Sequence, residues 1–182
     1  MADPHPFYFL SSAFTYPEYR EPRPPVAVLL SLAHDLGLTG LPLETHESFA
    51  LQQLQAEYVR LFVNAPGGVP SPPYASVYIQ GKGILKQQGY EQAMAFYGRA
   101  GLEPAETSEC EDHIGHELAF IGHLLDHGQF ELLDEFVAGH VMAWSPHFFQ
   151  RLKTADPAYF YLILGQVAEL CINHLIQKEG LR

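Results

Sequence analysis

The chain has 182 residues, with 21 acidic side chains against 10 Lys and Arg, for a net charge of −11. That length supports one well-packed domain over 1–182, and 47% hydrophobic with 13% aromatic residues is incompatible with a disordered chain. The acidic balance leaves no basic stripe for phosphates, which excludes nucleic acid as the partner.

The apolar runs are short and interrupted, so no membrane span is expected. The start, Met1-Ala2-Asp3-Pro4, lacks the basic region of a secretory signal. Cys110 and Cys171 are too few for a disulfide framework. Together these features predict a cytoplasmic protein with reduced thiols.

In chain order, Pro6 to Tyr16 reads as a first helix with Phe7, Leu10 and Phe14 as its apolar stripe, stopped by Pro17. Pro25 to Leu36 is a second, with Val28, Leu29, Leu32 and Leu36 inward and Gly37 as its stop. Thr45 or Ser48 caps a third that runs to about Val63, with Leu51, Leu54, Tyr58, Leu61 and Phe62 inward. Asn64 to Pro73 is too rich in Pro and Gly for regular structure. Val77–Ile79 alternates briefly with period two. A helix over about Ile84 to Ala100 ends at Gly101, and 103–108 forms a hinge linker.

Glu109 to His127 comes next, with Ile114, Leu118, Ile121 and Leu125 at helical spacing. Asp112, His116, His123 and His127 fall on its wet face, with His113, Glu117 and Phe120 on the flank. Gln129 to Met142 is the next helix, Trp144-Ser145-Pro146 begins another, and Asp156-Pro157 opens the last, which ends at Gly180. The pattern predicts an all-α fold, a single helical domain of about seven or eight helices. A linker such as 103–108 also allows a swapped dimer as well as a monomer.

From Ala100 to Gln150 there is no Lys or Arg, yet ten of the 21 acids lie there. Such a field attracts cations and basic peptides. Three kinds of chemistry compete for it. His116, His123 and His127 invite a metal-binding or metal-dependent enzyme reading, but Phe120 stands where a zincin helix needs its second His, and no Cys pair has zinc spacing. Cys110 near His113 is a Cys/His neighbour pair, with Glu109, Glu111 and Asp112 opposing thiolate formation. Gly81-Lys82-Gly83 lacks the upstream glycine of a P-loop. No enzyme motif is present, no cofactor is implied, and a binding surface around Pro72, Pro73 and Tyr74 remains.

Several stretches together carry a resemblance. They are Glu57-Tyr58-Val59-Arg60-Leu61-Phe62, then Pro72-Pro73-Tyr74-Ala75-Ser76-Val77-Tyr78, then Asp112-His113-Ile114 with Glu117-Leu118, and finally Phe136 with His140, Trp144 and Phe148. In order and approximate gap they resemble the TorD/DmsD/NarJ family of molybdoenzyme-specific chaperones, from about Glu57 to Leu175, with the Asp-His-Ile start favouring the TorD/DmsD side. Asn64-Ala65-Pro66-Gly67-Gly68 and Gln80-Gly81 depart from that pattern.

The resemblance implies an all-α cytoplasmic chaperone, not an enzyme. Its partner would be the twin-arginine leader peptide of a molybdenum oxidoreductase apo-subunit, held back from export until the cofactor is inserted. The peptide-binding positions it implies are Leu61, Phe62, Pro73, Tyr74, Asp112 and His113, with Tyr16 from the first helix. Carboxylates such as Asp112 suit the arginines, the apolar stretch would lie on Leu61, Phe62 and Tyr74, and His113 would donate to a peptide carbonyl and respond to pH.

Overall fold

The computed structural model describes residues 5–18, 26–37, 51–79, 85–103 and 109–179. The caps expected at Thr45 or Ser48, the Gly81-Lys82-Gly83 stretch and most of the expected hinge at 103–108 lie outside those residues. Among the described residues the regular structure is helical, with one isolated bridge and no strand.

Helix α1 (Phe7–Ala13) buries Phe7, Leu10 and, just past its end, Phe14, as their spacing requires. It lies across α6 (Ile114–Asp126), the two approaching closely at Gly122. A methyl group on Gly122 would come within 2.9 Å of the His5 ring and 3.1 Å of the Tyr8 ring. Helix α2 (Val26–Asp35) packs on α9 (Tyr159–Glu179) through Leu29 and Ala33, both fully buried. Val28, expected inward, is 39% exposed. The helix turns Ala33 to the core instead, since a small residue allows the closest approach of two backbones.

Helix α3 (Leu51–Tyr58) continues without a break into a π-helical turn, Val59–Val63. Helix α7 (Phe130–Phe136) likewise runs through a π turn, Val137–Val141, into α8 (Met142–Thr154). The two helices expected on either side of Ala143 are therefore one rod, and Pro146 sits inside it rather than at its start. Proline removes the hydrogen bond to the carbonyl four residues earlier and its ring crowds that carbonyl; here the carbonyl belongs to Met142, directly after the π turn.

The wide turn has a packing role. Residues four apart drift by about 40° per step on a regular α-helix, because the repeat is 3.6 residues. Phe136, His140, Trp144 and Phe148 are successive i+4 neighbours, and all four are fully buried. A π turn between them absorbs part of the drift and keeps them on one face.

The core joins these rods through aromatic rings. Phe62 is a hub, with ring centroids 5.0 Å from Tyr58, 5.5 Å from Tyr161 and 6.3 Å from both Phe14 and Phe148. Over Tyr159–Gln177, α9 is long and apolar enough to cross a membrane by length and composition, which the interrupted apolar runs did not foretell. Phe160, Tyr161, Ile163, Leu164, Val167 and Ala168 on it are buried against α1, α2 and α8. A core helix passes the same length test.

Candidate functional site

The irregular segment after the π turn of α3 is pinned at several points. Ser71 donates its amide to Leu61 O and its hydroxyl to Phe148 O. Arg151 donates to the Val69 and Pro70 carbonyls and lies over the Tyr78 ring, 5.7 Å from its centroid. Tyr78 in turn stacks on Trp144 at 5.7 Å. Rigid prolines and these ties deliver Pro73 and Tyr74 to one place.

That place faces the start of α6. Tyr74 and His113 form an antiparallel bridge: the Ala75 amide donates to Asp112 O and the Ile114 amide to Pro73 O. The alternation at Val77–Ile79 does not extend into a strand, because α4 (Ala75–Tyr78) closes one helical turn directly after the bridge. The Asp112 carboxylate serves that turn. Its Oδ2 accepts from the Ser76 amide at 2.8 Å, so a residue far along the sequence supplies the capping acceptor that Tyr74 does not. Helix α5 (Gln88–Arg99) backs α4 at Gly89, where an added methyl would meet the Ser76 nitrogen at 2.5 Å.

Helix α6 begins at Ile114, later than the continuous pattern from Glu109 suggested, with His113 as its N-cap. His113 Nδ1 accepts from the Gly115 amide at 3.0 Å, so the ring proton is on Nε2. Burial, and then the neighbouring His116, lower its pKa to about 3. His113 therefore stays neutral at ordinary pH, against the expectation that it responds there.

The residues implied by the resemblance are thus gathered in one region but differ in exposure. Leu61, Phe62, Pro73, Asp112 and His113 are buried. Leu61 and Phe62 belong to the aromatic core rather than to a surface for an apolar stretch, and Asp112 is fully covered instead of facing solvent. Tyr74 is half-buried, and Tyr16 is 45% exposed.

What the surface offers there is a different acid. Tyr74 donates its hydroxyl to Glu109 Oε1 at 2.6 Å, and the Cys110 amide also reaches that oxygen at 3.2 Å. Burial, and next the Glu109 hydrogen bond, push the Tyr74 phenol well above its usual range. Burial and then the Glu109 charge do the same to Tyr58. Tyr16 packs edge-on against Tyr58, centroids 5.5 Å apart. Tyr74 and Tyr58 thus lie near Glu109, and Tyr16 packs on Tyr58. Glu109 and Tyr58 were visible in the sequence as one acid of ten and one inward aromatic, with no local signal linking them.

Beneath the bridge lies a buried polar group that helix periodicity placed on a flank. Glu117 Oε1 is 2.8 Å from His140 Nε2, and its Oε2 accepts from Trp144 Nε1 at 3.0 Å. His140 Nδ1 meets Gln92 Oε1 at 3.3 Å. Burial lowers the His140 pKa, but the Glu117 carboxylate outweighs it and the net shift is upward. Burial likewise raises Glu117, against the opposing pull of His140 and Trp144.

The competing chemistries find little here. Burial and then Asp112 raise the Cys110 pKa, the reverse of an activated thiol. The His123 and His127 rings stack at 4.0 Å, and His127 donates Nδ1–H to His123 O at 2.8 Å. Among the described residues no three His, Cys, Asp or Glu side chains converge as a metal would need.

Comparison with known proteins agrees with this architecture. Residues 25–150 match the family model described as nitrate reductase delta subunit. The Tat proofreading chaperone DmsD of Salmonella typhi is 28% identical over 174 residues, 90% of this chain and 83% of the relative. The chaperone protein TorD of Photobacterium profundum is 31% identical over 169 residues, 85% and 72% of the two chains. A crystal structure from Archaeoglobus fulgidus, described as a redox enzyme maturation protein, superposes with a TM-score of 0.62 at 25% identity over 91% of both chains. The chain accordingly belongs to the nitrate reductase delta subunit (TorD/NarJ) family, among relatives named as chaperones rather than enzymes.

Proposed function

We propose that this chain is an assembly chaperone that holds the twin-arginine leader of a molybdenum oxidoreductase apo-subunit in the cytoplasm until its cofactor is in place. The observation that carries the reading is the half-exposed lip formed by Tyr74 and Glu109 directly above the Tyr74–His113 bridge. It combines aromatic surface with a carboxylate, and it lies at the start of a stretch, Ala100 to Gln150, without any Lys or Arg.

A leader of this class carries two arginines and, after them, an apolar segment. Its cations are drawn by the field of the acidic stretch and oriented by it. Tyr74 and Tyr16 are the accessible aromatic surfaces for the apolar segment. Pro73, Asp112, His113, Leu61 and Phe62 act from beneath: they fix the backbone that presents the lip. The rigid Pro72-Pro73 segment is already ordered, so little conformational entropy is lost when a peptide docks. The names DmsD and TorD among its relatives support the same assignment.

Calorimetric titration with a synthetic twin-arginine leader tests it. A peptide with both arginines replaced by alanine should bind at least about tenfold more weakly. Equal heats for the two peptides would remove the acidic lip from the recognition of the leader. Capture of an apo-oxidoreductase subunit from the native host, lost on deletion of its leader, would identify the client.

A further inference from the structure

Arg151 is the first fixed cation after the stretch from Ala100 to Gln150, and it lies against the segment that presents Tyr74. A cation beside a site for a basic peptide opposes the field that draws the peptide in. Its charge is therefore not its use there. Resting on the leader-binding reading above, we propose that Arg151 is a positioning residue of the leader site: it ties the two ends of the 69–78 segment together and so holds Tyr74 in its binding-competent place before the leader arrives.

One guanidinium meets both ends of that segment. Its Nε donates to Pro70 O at 2.7 Å, and a terminal nitrogen donates to Val69 O at 2.9 Å. Its central carbon lies over the Tyr78 ring, 5.7 Å from the centroid. Tyr78 closes α4, and Tyr74 stands at the start of it. Pro72, Pro73 and Tyr74 therefore fall inside a loop whose mouth is spanned by a single side chain. The planar fork suits this task, because it reaches two successive carbonyls edge-on while its face rests on a ring. Lysine, with one round and strongly hydrated nitrogen, does not combine the two.

Cutting this tie loosens the segment without unfolding the domain. Ser71 keeps its bond to Phe148 O and Tyr78 its stacking on Trp144, whereas Arg151 itself is exposed. The loosened segment carries Tyr74 through positions that the leader cannot use. Apparent affinity then falls by the fraction of time spent in the right one. The loss falls on association, since a leader once bound holds the segment in place. Charge alone gives the opposite sign: removing a cation from an acidic site strengthens its hold on a basic peptide.

Stopped-flow binding of a synthetic twin-arginine leader to the wild type, Arg151→Gln and Arg151→Lys tests this, with amide hydrogen exchange measured on the same proteins. Arg151→Gln should associate about five- to tenfold more slowly, with an unchanged dissociation rate. Arg151→Lys keeps the charge and should still resemble Arg151→Gln. In both variants the Ala75 and Ile114 amides of the bridge should exchange faster, while the buried amides of α9 exchange as in the wild type, the mark of local loosening. An Arg151→Gln protein that binds the leader as fast as the wild type, or more tightly, overturns the assignment. So does an Arg151→Lys protein that matches the wild type, a loss carried by faster dissociation alone, or faster exchange throughout the molecule. In each of these the wild type still binds the leader and the reading above stands. A wild-type protein that does not bind the leader overturns both.

Discussion

The Asp112 carboxylate lies 2.8 Å from the Ser76 amide and stands in for the missing cap of α4. An acid that its spacing put on a wet helix face is instead a joint between α4 and the segment that leads into α6. Its replacement should act on stability first. Asp112→Ala is expected to cost about 1–3 kcal/mol, since it strips a buried amide of its acceptor, and leader affinity should fall with the fold. Asp112→Asn, which keeps an acceptor oxygen, should recover much of both. Urea unfolding measured in parallel with peptide titration separates this from a direct contact, in which binding alone would suffer.

His113 sets an acid limit. Its folded pKa, about 3, lies below the ordinary 6.5. The unfolded chain therefore takes up a proton that the folded chain refuses, and stability falls as pH drops below 6.5 toward 3. The contribution is fully present above pH 6.5. His113→Asn, still an N-cap acceptor for Gly115, should flatten the acid limb of a stability-versus-pH curve. An acid limb as steep as that of the wild type would show that other groups dominate it.

Glu117 and His140 set an opposite trend. His140 is shifted upward on balance by the Glu117 carboxylate, so its contribution is full below the ordinary pKa and is lost as pH rises through the raised value. Glu117→Gln should shrink that alkaline loss. Glu117→Ala leaves an imidazole and an indole N–H buried without their acceptor, and is expected to destabilise by about 3–5 kcal/mol. The single tryptophan, Trp144, hydrogen-bonds Glu117 directly. Its emission in the folded state should shift in both variants, and an unchanged spectrum would contradict the contact.

Gly89 tests the backing of the site. A methyl there would press on the backbone of Ala75 and Ser76. Gly89→Ala should therefore shift α4, lower stability by about 1–3 kcal/mol and weaken leader binding beyond what the loss of folded protein explains. A variant as stable as the wild type, with the same affinity, would mean that α5 can retreat without disturbing Tyr74.

The helices were legible wherever local periodicity decided them. Phe7, Leu10 and Phe14 are buried because three residues at helical spacing leave one face no alternative. The misplacements share a physical cause: they depend on partners distant along the chain. Glu117 meets residues 23 and 27 positions away, which no window of one helix can see. Asp112 reads as exposed because a charge usually is; here a short helix with an uncapped start draws it inside. Leu61 and Phe62 were marked for binding by resemblance, which identifies positions without saying which side of the backbone they occupy. The gathering of Tyr74, Asp112 and His113 could be expected, but the contact of Tyr74 with Glu109 could not, because one hydroxyl bond across 35 residues sets that acid apart from the other nine in its stretch.

The wide turn at Val137–Val141 carries an implication for how this chain can change length. It acts as a gear between two halves of a rod, holding Phe136 and His140 in phase with Trp144 and Phe148. Removing one residue there, at Ala138 or Gly139, which are exposed, would let the turn relax to regular α-helix and leave Phe136 and Phe148, then eleven positions apart, within about 20° of the same face. Removing one from the regular helix between that turn and Trp144 would instead swing everything beyond it by about 100°, taking Trp144 from Glu117 and from the Tyr78 ring. Single-residue deletions should consequently be tolerated at the wide turn and rejected in the regular helix beside it.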